Sequence, residues 1–283
     1  MKVVIIVSCI FIITALISGC SSVGDNEALE SRLNNNDNKG AINIAKRMIA
    51  SGADVNTRTI RGMVPLHIAV VTDDIEFAQL LISKGADVNA KIDNGFTPLN
   101  FATCFSNYSS STKMVELLLK HGADPNSNSK LQSPLMGACQ NGYYEIVKLL
   151  VENGADINFA DESKATALMY ANDAKTIKYL ISKGADVKAK DLNGRTLLME
   201  VVCHRKMNNT EKTEIILLLI EKGVDINAVD RYGFFNDQTS TALDKATTRE
   251  QPKEIISLLR SKGAKTAAEL KAEKPAPASD DKK

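Results

Sequence analysis

Thr97-Pro98-Leu99-Asn100-Phe101-Ala102 opens, and Gly122-Ala123-Asp124-Pro125-Asn126 closes, a stretch that reads as one helix–turn–helix unit. The Thr97 hydroxyl can cap the free N–H groups of a first helical turn, and Pro98 then stands at the first helical position, where its missing N–H costs nothing. Leu99 and Ala102 share one helical face, and the small alanine lets a neighbouring helix approach. A second helix, roughly 114–121, stops at Gly122, which reaches the left-handed conformation that ends helices without a side-chain clash. Asp124 and Asn126 favour the turn that follows.

Both ends of this stretch return along the chain. Tags like Gly-Ala-Asp begin at Gly52, Gly85, Gly122, Gly154, Gly184, Gly223 and Gly263, in steps of 33, 37, 32, 30, 39 and 40 residues. The opening signature recurs as Val64-Pro65-Leu66-His67, Ser133-Pro134-Leu135-Met136, Thr166-Ala167-Leu168-Met169, Thr196-Leu197-Leu198-Met199 and Thr241-Ala242-Leu243-Asp244. Asn94-Gly95, Asn193-Gly194 and Tyr232-Gly233 read as hairpin tips between units. No unit buries its apolar face alone, so neighbours must stack. A period near 33 with these two signatures resembles the ankyrin repeat. The resemblance implies an all-α repeat solenoid, a helix-turn-helix stack with β-hairpin fingers.

Counted this way, repeats run 25–56, 57–89, 90–126, 127–158, 159–188, 189–227 and 228–265. The first is degenerate and begins with a polar helix around 27–33 that suits an N-terminal cap. Residues 266–283 read as a capping helix followed by a polar, Pro-containing, disordered tail. From the fourth signature residue to the tag glycine there are 18 residues in repeat two, 22 in repeat three and 24 in repeat six. The excess predicts longer helix–helix loops at 107–111 and 206–210. Repeat five shrinks to 15 over the same interval, and repeat seven lengthens its finger at 234–239.

Ahead of the repeats, Met1-Lys2 and an apolar run from Val3 to Ile17 have the layout of a signal peptide and are short for a membrane span. Ile17-Ser18-Gly19-Cys20 resembles the lipobox of bacterial lipoproteins. That resemblance implies cleavage of residues 1–19, a diacylglycerol on Cys20, acylation of the new N-terminus and, with Ser21 next, sorting to the outer membrane, leaving residues 20–24 as the tether. An uncleaved signal anchor and a plain secretory peptide with an incidental cysteine are the competing readings. Three acyl chains hold far more firmly than one, at about 0.8 kcal/mol per buried methylene.

Removal of residues 1–19 takes one lysine, leaving 34 basic residues against 34 acidic ones. A neutral chain without a basic run gives no electrostatic reason to bind nucleic acid, and His204-Arg205-Lys206 reads as solvated surface. Cys104, Cys139 and Cys203 fall late in first helices, where small side chains pack, and read as buried inert thiols, a reactive pair being the alternative. An odd number of thiols cannot complete a disulfide framework. His67 resembles the family's histidine that ties successive units together, His121 falls in a last helical turn, and His204 has no ligands at metal spacing. No catalytic constellation, metal site or cofactor is expected.

The family resemblance implies a binding function, exerted on a protein partner by a monomer through a concave face of fingers and first helices. Tyr232, Phe234 and Phe235 cluster in one finger of a chain with 5% aromatic residues, and adjacent side chains on an extended strand point to opposite sides, so at least one is exposed. These three, with Arg231, Asn193 and Arg195 beside them, form the expected partner site. The alternative for the aromatics is a fold back onto repeat six. For the whole chain, the alternatives are an inhibitor or immunity-type protein acting on an envelope or secreted enzyme, and an envelope scaffold.

Overall fold

A polar side chain that accepts the first free N–H groups starts most helices, and a glycine that only the left-handed region accommodates follows the second helix of each pair. Ser133 accepts from the Met136 N–H and Thr196 from the Met199 N–H, while Gly122, Gly154 and Gly184 have φ of +87°, +86° and +94°. The computed structural model describes residues 38–58, 62–104, 111–127, 132–231, 239–249 and 251–273, and among them are fourteen helices and one two-stranded hairpin. The polar helix expected at 27–33, residues 107–110 of the loop expected at 107–111, and the tail from 275 lie outside the described residues.

The chain divides into two compact units at Asp156 and Ile157. The first contains α1 (Asn38–Ala50), α2 (Pro65–Val71), α3 (Ile75–Ser83), α4 (Pro98–Cys104), α5 (Thr112–Lys120), α6 (Pro134–Asn141) and α7 (Tyr144–Glu152). First helices pack on first helices, α2 on α4 and α4 on α6, and second helices do the same, α1 on α3, α3 on α5 and α5 on α7. Leu66, Leu81, Leu99, Met114, Leu118, Leu135 and Met136 are fully buried between them. Gly137 marks a close approach. A Cβ there would lie 2.4 Å from Cys104 Sγ and 2.9 Å from Cys104 Cα, so α4 and α6 meet at backbone distance.

The second unit contains α8 (Ala167–Tyr170), α9 (Ala174–Ser182), α10 (Leu197–Cys203), α11 (Asn209–Glu221), β1 (Asp230–Arg231), β2 (Thr239–Ser240), α12 (Ala242–Thr248), α13 (Lys253–Ser261) and α14 (Ala267–Ala272). The same ladder holds, α8 on α10 on α12 and α9 on α11 on α13. Length differences are absorbed in two ways. The short repeat five loses turns from its first helix, since α8 has four residues where α10 and α12 have seven. The long repeat six gains helix as well as loop: α11 has 13 residues and begins at Asn209, inside the loop expected at 206–210. The reason is a capping box, in which Asn208 N–H donates to Glu211 Oε2 and Glu211 N–H to Asn208 Oδ1, both at 2.9 Å. The capping helix expected after the last tag is α14, started by Thr266 and Glu269 in the same reciprocal pattern.

The tags also clasp one another. The Asn126 side chain donates to the Gly154 carbonyl at 2.9 Å and accepts from the Asp156 N–H at 2.7 Å. Asn56 and Asn89 in the first unit, and Asn158 and Asn227 in the second, make the same two bonds to the next tag. Lys188 occupies this position in the fifth tag. Its ammonium lies near Gly223, 3.6 Å from where a Cβ would stand.

Candidate partner-binding surface

Two fingers of the second unit are closed by an aspartate before the turn. Asp161 accepts from the Ser163 and Ala165 N–H groups, and Asp191 from the Asn193 and Arg195 N–H groups, at 2.8 to 3.0 Å. Gly194, with φ +80°, turns the second of these fingers, and Lys164 takes the left-handed conformation with φ +60° at the matching place in the first. Isolated bridges Ala160–Thr166 and Lys190–Thr196, and the β1–β2 pair, close the hairpins.

Successive fingers are hydrogen-bonded side by side. Leu192 N–H donates to the Ser163 carbonyl and Arg231 N–H to the Asn193 carbonyl, each at 2.8 Å. A Cβ on Gly194 would come within 2.8 Å of the Val229 carbonyl, so glycine is what lets these fingers touch. Leu192 is 62% exposed and Val229 39% exposed on this row, beside the exposed Arg231.

The structure therefore brings Asn193, Arg195 and Arg231 together on neighbouring fingers. Tyr232, Phe234 and Phe235 lie outside the described residues, as does Cys20. Among the described residues no helix is long and apolar enough to cross a membrane.

Arg195 leads to residues that the sequence reading did not select. Its guanidinium meets Glu200 at 3.1 Å, and its Nε lies 3.9 Å from Oδ2 of Asp230, which is fully buried. Lys245, 9% exposed, closes on the same Oδ2 at 2.8 Å, and Ser240 donates to Oδ1 at 2.6 Å. Burial works against the charge on Arg195, but Glu200, Asp191 and Asp230 outweigh it and hold the guanidinium above the usual arginine range.

A pattern in the signature would have found this network. Its fifth position reads Ile68, Phe101, Gly137, Tyr170, Glu200 and Lys245. Where that position turns polar, it meets its own finger: Tyr170 donates to Asp161 at 2.7 Å, Glu200 takes Arg195, and Lys245 takes Asp230.

The thiols differ in part from expectation. Cys139 is buried, but Cys104 and Cys203 are half-buried, because each ends its first helix. Burial still pushes the Cys104 thiol up to about 12 and raises that of Cys203, so neither is thiolate at neutral pH.

The profile of ankyrin repeats taken three at a time matches at residues 35–129, 108–191 and 172–269. Among curated proteins, α-latrocrustotoxin-Lt1a of Latrodectus tredecimguttatus is 41% identical over 87 residues, which are 29% of this chain and 6% of that protein. Human ankyrin repeat and SOCS box protein 6 is 31% identical over 129 residues, 43% of this chain and 31% of that protein. This chain thus spans less than a third of the length of those relatives. Among solved structures, the human ASB11 ankyrin repeat domain aligns with a TM-score of 0.63 at 26% identity, covering 87% of this chain and 99% of that one. With the matched residues running from the first described helix to the last, the chain belongs to the ankyrin repeat family.

Proposed function

We propose that this chain is a non-catalytic binding module that takes a protein partner on the fingers and first helices of its repeats, as a monomer held at the bacterial envelope by lipid on Cys20. Ankyrin repeats are generally protein–protein interaction modules. The observation that supports a partner surface here is the finger row of the second unit, where the exposed Leu192 and Val229 stand beside Arg231 and Arg195 on a hydrogen-bonded framework. Exposed apolar side chains give a partner area to bury, and arginine is enriched at protein interfaces.

Partner capture from envelope extract tests the surface. Leu192→Ser/Arg231→Glu changes exposed positions and should keep wild-type melting while losing the partner. Phe234→Ala/Phe235→Ser, in the part of the finger outside the described residues, should do the same. Unchanged capture by both variants would refute this site. For the anchor, Cys20→Ser should free the protein from membranes after high-salt and carbonate washing, and globomycin should leave an unprocessed precursor; membrane retention of the serine variant would exclude the lipid.

A further inference from the structure

Between α10 and α12 lies a pocket of about 350 Å³, and we infer that it takes one acidic side chain, an aspartate or glutamate, of the protein partner. The inference rests on the partner-binding reading above and adds the chemistry of what is bound.

Four basic side chains line the pocket: Arg195 from the finger, Lys245 on α12, and Arg205 and Arg249 just beyond the ends of the two helices. Their charges are not spent equally. Arg195 is matched by Glu200 on the pocket wall and Lys245 by Asp230 beneath it. Arg205 and Arg249 have no ion-pair partner among the described residues, and both are exposed. Two positive charges are left facing one cavity. Arg205 and Lys206 are exposed, as the sequence implies for 204–206, and His204 and Arg205 also line this pocket.

His204 adds a donor. Its Nδ1 accepts from the Lys206 and Met207 N–H groups, each at 3.3 Å, so the neutral ring carries its proton on Nε2. Met199 and Cys203 supply an apolar wall against which the methylenes of an acidic side chain can pack. The volume is roughly ten times the ~30 Å³ share of one water, enough for a carboxylate with its stem.

A single carboxylate fits better than nucleic acid. Nucleic-acid binding needs a basic track along successive phosphates, and these cations surround one cavity in a chain whose formal net charge is +1. Glu200 on the wall opposes a doubly charged phosphate more than a singly charged carboxylate.

The test uses the full chain labelled with ¹⁵N-arginine, titrated with a capped alanine peptide bearing one glutamate, with the same peptide bearing glutamine, with inorganic phosphate and with a short single-stranded DNA. The glutamate peptide should shift the side-chain Nε–H signals of Arg205 and Arg249 saturably, and the glutamine peptide should not. Arg249→Gln and Arg205→Gln, both at exposed positions, should each keep wild-type melting and weaken the glutamate peptide about tenfold. Equal shifts with glutamine, no shifts, or unweakened binding in both variants would overturn the inference. So would tighter binding of phosphate, which would mark a small-anion site, or of DNA. Unchanged partner capture by both variants, with capture lost in Leu192→Ser/Arg231→Glu, would remove the acidic pocket and leave the partner surface standing.

Discussion

His67, Asn100 and Asp244 occupy one structural position: the third residue of a first helix, whose side chain turns back to accept the N–H of the residue before that helix. The distances are 3.2 Å from Val64, 3.0 Å from Thr97 and 2.9 Å from Thr241. Histidine is the one of the three residue types whose ordinary pKa lies near neutrality. His67 is fully buried, edge-on to Phe101 at 5.1 Å, and burial lowers its pKa from 6.5 to about 4. Phe101, which the ring meets, belongs to the next repeat, so His67 packs across the junction of two units. Between pH 6.5 and about 4 the unfolded chain binds more protons than the folded one. His67 stability is therefore full above that window and lost as pH falls through it, by up to about 1.4 kcal/mol per pH unit. Asparagine at this position keeps the returning bond, as Asn100 does, and does not titrate. Thermal melts of His67→Asn should show a shallower loss of Tm across that window than wild type; an unchanged slope would assign the acid sensitivity elsewhere.

At the scale of elements, the contact of α4 with α6 depends on what Gly137 lacks. Gly137→Ala pushes a methyl into Cys104 Sγ and Cα, and overpacking of this kind costs about 1–3 kcal/mol. Leu135→Ala, at a position 1% exposed between the same helices, removes core volume and should cost about 2–5 kcal/mol. Chemical denaturation should give both losses, with Gly137→Ser no milder than Gly137→Ala. The helices and fingers were legible because their signals are local: a hydroxyl and proline at 97–98, glycine at 122, Asn-Gly at 94–95 and 193–194. The asparagine clasps were half legible, since the tags recur, but repetition alone does not say that each side chain spans about 30 residues to the next glycine carbonyl. The ionic network escaped because no local signal pairs Asp230 with Lys245, and only the fold brings them to 2.8 Å. The start of α11 was missed for another reason. Counting residues against the repeat length assigned 206–210 to a loop, while Asn208 and Glu211 carried a local helix-start signal.

For the whole molecule, stability is a sum of neighbour-to-neighbour contacts, so a defect in one place is not averaged away. The clasp missing at Lys188 is such a defect. Lys188→Asn restores the residue used at Asn158 and Asn227 and should add about 1 kcal/mol, seen as a higher Tm, through one or two new hydrogen bonds. No gain would mean that the Lys188 ammonium already serves the Gly223 end as well as an amide. The same gap has a mechanical side. A row of clasps loaded along its length gives way at its weakest link, so under tension the second unit should part first between the fifth and sixth tags. Stretched in an optical trap, the wild-type chain should then lengthen in an early low-force step that Lys188→Asn moves to higher force. One lysine in place of an amide would set where this protein tears.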